Sequence, residues 1–237
     1  MSAERLACIL KSLSIPEYPI AFSGGLDSAI LASLTETSLF SVGLAGSYDI
    51  ENSKKAAALL GREVSAIEVT EEEVLAAVPE VITLVGDIPL DLEIGTPFYL
   101  LLKKTRPQGL VLGQGADELF GGYKRYGQWA GTARLARELK RDSDQLPAVL
   151  ELRERSIARA FGTELSFPYL DSRIAQFAEN LPASEKVSWN GRKLVLRDAA
   201  RKLGLPEEIC SQPKKAIQYG TGISKLVRKN LKEIVGS

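Results

Sequence analysis

The chain has 237 residues, 45% of them hydrophobic, and a net charge of zero, which is enough apolar chain to bury a core. It contains no histidine, which excludes Ser-His-Asp and Cys-His catalysis and histidine-based zinc hydrolysis. Its two cysteines form no disulfide framework, no apolar run approaches the ~20 residues that span a bilayer, and no signal-peptide pattern begins the chain. A cytoplasmic protein without a membrane partner is therefore predicted.

The predicted elements alternate between strands and helices over the first half of the chain. A short helix over 4–13 precedes strands at 19–22, 39–44, 64–69 and 110–112, and helices follow at 28–36, before Gly61, after Thr70 and from about Ala116. This alternation predicts an α/β fold with a parallel, doubly wound sheet. Beyond Tyr126 the pattern is mostly helical, so a single domain over 1–237 is predicted, with a core at 1–127 and a helical extension at 128–237.

The first strand ends in the turn Ser23-Gly24-Gly25-Leu26-Asp27-Ser28. Two glycines let the backbone approach a ligand, and the following helix directs its first amides at the turn, where they favour a phosphate. Asp27 would repel a bare phosphate, so it indicates a bound magnesium ion. The turn matches neither Gly-x-x-x-x-Gly-Lys-[Ser/Thr] nor Gly-x-Gly-x-x-Gly. A purely structural glycine turn is the alternative interpretation.

The fourth predicted strand leads into a second glycine-rich run, residues 113–123, which begins with Gly113 and Gln114. It places Asp117 and Glu118 at a helix start on the same sheet edge as Asp27. Asp27 and Asp117 could therefore share one magnesium ion that carries the β- and γ-phosphates. Acids that merely favour the helix dipole are the alternative.

These motifs resemble a known superfamily. Ser-Gly-Gly-x-Asp-Ser resembles the signature of the N-type ATP pyrophosphatases, and residues 113–123 are similar to the Ser-Gly-Glu-Gly-Ser-Asp-Glu-Leu-Phe-Gly-Gly-Tyr motif of the asparagine synthetase synthetase domain. Segments that resemble the same domain follow in its order at 96–101, 167–171, 191–199, 206–209 and 213–215. The resemblance covers about residues 18–225.

The resemblance implies a Rossmann-like fold of the adenine nucleotide alpha hydrolase type, with ATP and Mg²⁺ as cofactors. It implies that ATP is cleaved between its α- and β-phosphates to adenylate aspartate or a similar carboxylate, which ammonia then amidates. It also implies residue roles: pyrophosphate binding by Ser23, Gly24, Gly25, Asp27 and Ser28, metal binding by Asp27 and Asp117, adenine binding around Val42 and Gly43, contact with the α-phosphate at Gly113, and catalysis by Lys214, Gln114 and Asp117.

Two departures from the family pattern affect the expected chemistry. Too few residues precede Ser23 for a glutaminase domain, so ammonia is expected from solution or from a separate glutaminase subunit. Gln114 replaces the family glutamate and cannot take a proton at neutral pH, which leaves the nucleophile open.

Other functions and partners also stay open. A β-lactam-synthetase-like or tRNA-modifying enzyme and a non-catalytic ATP-binding subunit are alternatives, as is a homo-oligomer. Residues 186–237 hold 12 Lys+Arg against 4 Asp+Glu, which fits either a triphosphate or a nucleic acid. Lys193, Arg197 and Arg201 are predicted to form one helical stripe that faces either phosphates or water.

Overall fold

A five-stranded parallel sheet forms the centre of the molecule, as described by a computed structural model over residues 1–212 and 220–235. Its strands are β1 (Ile20–Ala21), β2 (Leu39–Leu44), β3 (Ser65–Val69), β4 (Gly109–Val111) and β5 (Glu164–Ser166). They are arranged in the order β3-β2-β1-β4-β5, and every pairing is parallel. The predicted α/β fold with a parallel doubly wound sheet is confirmed.

Helices surround the sheet. They are α1 (Ser2–Lys11), α2 (Leu26–Ser33), α3 (Tyr48–Leu59), α4 (Glu71–Val85), α5 (Pro89–Thr105), α6 (Ala116–Phe120), α7 (Ala133–Leu150), α8 (Ser156–Phe161), α9 (Ser172–Glu179), α10 (Ala183–Lys186), α11 (Leu194–Lys202), α12 (Glu207–Ser211) and α13 (Ile223–Val235). A π-helical turn, Glu151–Arg155, joins α7 to α8. A short antiparallel hairpin of β6 (Val187–Ser188) and β7 (Gly191–Arg192) precedes α11. None of the described helices is long and apolar enough to cross a bilayer.

Local sequence signals explain several helix ends. Thr70 accepts a hydrogen bond from the Glu73 amide at 3.2 Å, and Glu73 accepts one from the Thr70 amide at 2.9 Å. This reciprocal capping box fixes the start of α4 as predicted. Gly61, with φ +66°, follows the end of α3, where the left-handed conformation suits glycine.

The hydrophobic core lies on both faces of the sheet. Successive residues of β4 belong to different clusters: Val111 is in the cluster that contains Leu6 and Ile30, whereas Leu110 is in the cluster that contains Val78. Because side chains alternate along a strand, the two clusters occupy opposite faces. The sheet is therefore buried on both sides, as expected for parallel strands with helical crossovers.

The region after residue 128 contributes to the central sheet one strand that the sequence does not predict. β5 pairs with β4 through Leu110↔Leu165 and extends the sheet at its edge. Its residues Glu164, Leu165 and Ser166 include one apolar side chain, so they carry no readable alternation. The pairing is set by the neighbouring strand rather than by local preference.

The strand order reverses at β1, which lies between β2 and β4. From β1 the chain first builds outward through β2 and β3, and then returns to place β4 on the other side. In open α/β sheets, ligands bind beyond the carboxyl ends of the strands at this point. The turns that follow β1 and β4 are the two glycine-rich motifs of the sequence.

Candidate active site at the reversal point of the sheet

The first turn is held against helix α3 by a close backbone approach. Gly24 has φ +72°, and a Cβ at this position would lie 2.6 Å from the Asn52 carbonyl oxygen. The Asn52 side chain donates a hydrogen bond to the Ser23 carbonyl at 2.9 Å. Both the dihedral angle and the spacing require glycine at residue 24.

Helix α2 begins directly after this turn. Gly25 is its N-cap and supplies no side-chain acceptor, so the amides of the first helical turn have no such cap. The Ser28 hydroxyl donates to the Gly25 carbonyl at 3.1 Å, and the Ser23 hydroxyl accepts from the Gly25 amide at 3.3 Å. Amides and hydroxyls are thereby gathered at a helix N-terminus, an arrangement that favours an anion.

The second turn approaches the first. A Cβ placed on Gly113 would lie 3.4 Å from the Cβ of Asp27, so the segments after β4 and β1 are in near contact. Gln114 lies partly buried in this turn, and Asp117 lies in the first turn of α6. The structure thus brings together the two aspartates that the sequence places on one sheet edge.

A lysine ammonium lies between these aspartates. Lys193 Nζ is 2.5 Å from both carboxylate oxygens of Asp27 and 2.6 Å from Asp117 Oδ1. The Lys193 side chain is 2% exposed, against 15% and 16% for the two aspartates. The predicted convergence is present, and the cation at its centre belongs to the chain.

A glycine and an unusual backbone conformation allow the Lys193 side chain to reach the two aspartates. A Cβ on Gly122 would overlap both Asp117 Oδ1 and Lys193 Cε, so glycine makes room for the lysine stem. Arg192 donates to the Gly122 carbonyl at 2.8 Å and fixes the β6–β7 hairpin to this turn. Lys193 itself has φ +54°, a conformation that costs a non-glycine residue about 1 kcal/mol or more.

Two further buried groups neighbour the acidic pair. Tyr169 is fully buried and donates a hydrogen bond to the Asp27 carbonyl at 3.0 Å. Burial raises the pKa of Glu118, the neighbour of Asp117, although the Tyr123 hydroxyl donates a hydrogen bond to it. Glu118 is therefore better placed to fix Tyr123 than to bind a cation.

The predicted stripe of Lys193, Arg197 and Arg201 is wrong as a continuous surface. Lys193 precedes α11 instead of lying within it, and Arg201 pairs with Asp198 and Glu207 near the surface. Arg197 lies beside the cleft, where its guanidinium donates to the carbonyls of Arg192, Cys210 and Gln212. The prediction from the i, i+4, i+8 spacing failed because the helix begins only at Leu194.

The residues expected around the adenine lie at the end of β2. Val42 is buried, and a Cβ on Gly43 would lie 3.1 Å from the Thr221 carbonyl oxygen. Leu44 donates its amide to the same carbonyl at 3.0 Å. Backbone from residue 221 therefore lies over this strand end, so Val42 and Gly43 are at the expected edge without lining the cleft between the two turns.

Lys214 falls outside the described residues. Gln212, two positions before it, donates hydrogen bonds to Asn52 Oδ1 and, at 3.2 Å, to the Tyr48 hydroxyl. Gly220 lies so close to Asp49 that a Cβ would overlap its carboxylate. The described residues on both sides of 213–219 thus lie beside helix α3 and the first turn.

The cleft between the turns is small. Its volume is about 50 Å³, and it is lined by Ser23, Gly25, Asp27, Asn52, Lys193 and Arg197, among others. Ligand pockets typically measure about 300 Å³ or more, so a whole nucleotide requires lining groups to move. A larger cleft of about 620 Å³ lies between α1 and α9, but it contains none of the motif residues.

The donor set at the reversal point suits a magnesium ion. Two carboxylates aimed at one position are a typical protein contribution to magnesium, which completes its shell with water and phosphate oxygens. With Lys193 included, the three side chains carry a net charge of −1, so the pair still attracts cations. In the described residues the position between the carboxylates is taken by Nζ, and no cluster of three acidic, cysteine or histidine side chains was found.

Comparison with known proteins agrees with this geometry. The family model described as asparagine synthase matches residues 16–154 and 127–237. The chain belongs to the asparagine synthase family. Asparagine synthetase B [glutamine-hydrolyzing] of Escherichia coli (strain K12) is 28% identical over 242 residues, covering 92% of this chain and 43% of that protein.

Two further relatives match over a similar extent. A Methanocaldococcus jannaschii protein, provisionally named a glutamine-hydrolyzing asparagine synthetase, is 31% identical over 257 residues, covering 90% of this chain and 47% of its own. A Brassica oleracea asparagine synthetase [glutamine-hydrolyzing] is 29% identical over 249 residues, covering 94% and 42%. The chain therefore spans less than half the length of these curated relatives.

Proposed function

We propose that this chain is an ATP-dependent amide-forming ligase that adenylates aspartate or a similar carboxylate with release of pyrophosphate. The observation that carries the proposal is that Asp27 and Asp117 converge on one position, occupied by the Lys193 ammonium, at the reversal point of the sheet. Membership of the asparagine synthase family supports the same reaction class.

The first turn is suited to hold the pyrophosphate part of ATP. Its glycines expose backbone amides, its serines supply hydroxyls, and α2 adds the positive end of its dipole. These groups stay fixed while negative charge develops on the leaving group, which is how preorganised donors accelerate a reaction. Arg197, tied by backbone carbonyls beside the cleft, adds a fixed positive charge.

Asp27 and Asp117 would hold Mg²⁺, which when bound neutralises phosphate charge and orients the triphosphate. Lys214 is proposed to stabilise the charge that grows on the α-phosphate. Gln114 is proposed to orient the attacking amine by hydrogen bonding without accepting its proton.

The proposed reaction balances in two steps. An oxygen of the substrate carboxylate attacks the α-phosphorus next to Gly113, and pyrophosphate leaves toward Ser23–Ser28. An amine then attacks the acyl carbon and releases one proton to solvent, and AMP leaves with the oxygen that came from the carboxylate. Ammonia would come from solution or from a separate glutaminase subunit, and the adenine would lie near Val42 and Gly43.

The test is isotopic. Purified chain is incubated with magnesium-ATP, ammonium and aspartate labelled with ¹⁸O in its carboxylates, and the AMP is analysed by mass spectrometry. Transfer of one ¹⁸O to AMP together with pyrophosphate release is the expected result. A panel of other carboxylates replaces aspartate if aspartate gives no product.

Asp117→Asn should abolish pyrophosphate release, whereas Asp144→Asn, an exposed substitution on α7, should retain it. Absence of pyrophosphate and of labelled AMP with every carboxylate would refute the ligase proposal. Magnesium-dependent ATP binding without turnover would instead select the non-catalytic ATP-binding subunit.

A further inference from the structure

We propose that Lys193 is a built-in counter-ion that competes with magnesium for Asp27 and Asp117, so that metal binding depends on nucleotide binding. This inference rests on the proposed function, because it assumes that the two aspartates hold the metal of a magnesium-ATP complex. It adds a coupling between ligands that the ligase reaction does not require.

The competition follows from the distances. Lys193 Nζ lies 2.5 Å from both oxygens of Asp27 and 2.6 Å from Asp117 Oδ1. Magnesium demands oxygen ligands at about 2.0–2.1 Å in octahedral geometry. A metal bound by both carboxylates would occupy the same space as the ammonium, so the two cations exclude each other.

Because Lys193 is buried, replacing its ammonium by magnesium costs free energy. Lys193 is 2% exposed, and its stem passes over Gly122 in space that any larger residue would fill. An ammonium that leaves two carboxylates in such a place needs another anionic partner, because a buried charge without one is strongly unfavourable. The phosphates of a nucleotide in the cleft supply that partner, whereas free magnesium does not.

The charges of the two carboxylates and of Lys193 also favour a metal site that depends on nucleotide. The two carboxylates with Lys193 sum to −1, and with a divalent cation in its place they sum to zero. Without nucleotide, Lys193 keeps Asp27 and Asp117 from repelling each other and preserves the site. With nucleotide, its withdrawal opens both the metal position and part of the small cleft.

The experiment measures magnesium binding by calorimetry, with and without a non-hydrolysable ATP analogue, and needs no turnover. Wild-type protein should bind magnesium alone weakly, and the analogue should tighten this binding at least about tenfold, a coupling typical of linked sites. Lys193→Met should bind magnesium alone at least about tenfold tighter than wild type and should lose most of the coupling. Lys193→Arg, which keeps the cation, should retain weak binding.

Lys186→Met is the matched control, because Lys186 is also buried but lies outside the acidic pair. It should bind magnesium as wild type does. A Lys193→Met protein that folds only when magnesium is added supports the proposal, since the metal then replaces the ammonium.

Three results would overturn the inference: tight magnesium binding by wild type without nucleotide, equal affinities in wild type and Lys193→Met, or a Lys193→Met protein equally unstable with and without magnesium. None of these depends on pyrophosphate release. A failure of the ligase proposal in the isotopic assay therefore remains distinguishable from a failure of the coupling.

Discussion

Replacing Gly24 by alanine separates the two reasons for glycine in the first turn. The left-handed φ of +72° would cost an alanine about 1–2 kcal/mol. In addition, the new Cβ would lie 2.6 Å from the Asn52 carbonyl oxygen and 2.8 Å from its Nδ2. The backbone atom belongs to helix α3 and cannot move aside as a flexible side chain would.

Relief of this overlap requires the turn to move away from α3 and to lose the Asn52–Ser23 hydrogen bond. That bond is worth about 1 kcal/mol. With the dihedral cost included, Gly24→Ala should lower the free energy of unfolding by about 3 kcal/mol. It should also abolish binding of magnesium-ATP, because the amides of the turn would be displaced.

Gly61→Ala, just after the end of helix α3, is a matched control. Gly61 has φ +66°, but no heavy atom lies within 4 Å of a Cβ built there. It should therefore cost only the dihedral component of about 1–2 kcal/mol and leave ATP binding intact. Urea unfolding and calorimetric ATP titration measure both effects. Equal destabilisation of the two variants, or normal ATP binding by Gly24→Ala, would refute this explanation of the turn.

Two further substitutions test buried polar groups by urea unfolding. Burial lowers the pKa of Lys186 from 10.5 to about 8. The buried ammonium therefore lowers the free energy of unfolding by its full amount below about pH 8, and this penalty disappears as the pH rises toward 10.5. Lys186→Met should therefore raise the unfolding free energy at pH 7 by up to about 3 kcal/mol and by much less at pH 10; an equal gain at both values would contradict this. Tyr169→Phe should cost about 1–2 kcal/mol by removing the hydrogen bond to Asp27, and a variant as stable as wild type would show that the bond contributes nothing.

Most strands of the sheet could be predicted from the sequence because they end in recognisable signals. β1 and β4 are short apolar runs followed by glycines, and β2 and β3 are long enough to read as strands. β5 could not be predicted, because three residues with one apolar side chain show no period. Its place in the sheet is decided by pairing with β4, a contact across 55 residues of chain.

In the candidate site, too, some residues could be predicted from the sequence and one could not. Asp27 and Asp117 could be placed on one edge because each follows a predicted strand by a short glycine turn. Lys193 could not be placed between them from local pattern, since it lies 166 residues from Asp27 and just outside helix α11. Lys193 does lie within residues 191–199, which resemble part of the same family domain, and that resemblance is the sequence signal that could have indicated a role for it.

The proposed chemistry fits a chain without histidine. A substrate carboxylate is already ionised at neutral pH, so its attack on phosphorus needs charge neutralisation instead of a general base. Asp27 and Asp117 are engaged with Lys193, and Glu118 is hydrogen-bonded to Tyr123. In the proposed reaction, the first step would therefore depend on positive charge from the amides of the turn, from Arg197, from Lys193 and from the proposed metal. Only the amine of the proposed second step has a proton to lose, and Gln114 is proposed to orient that amine without accepting the proton.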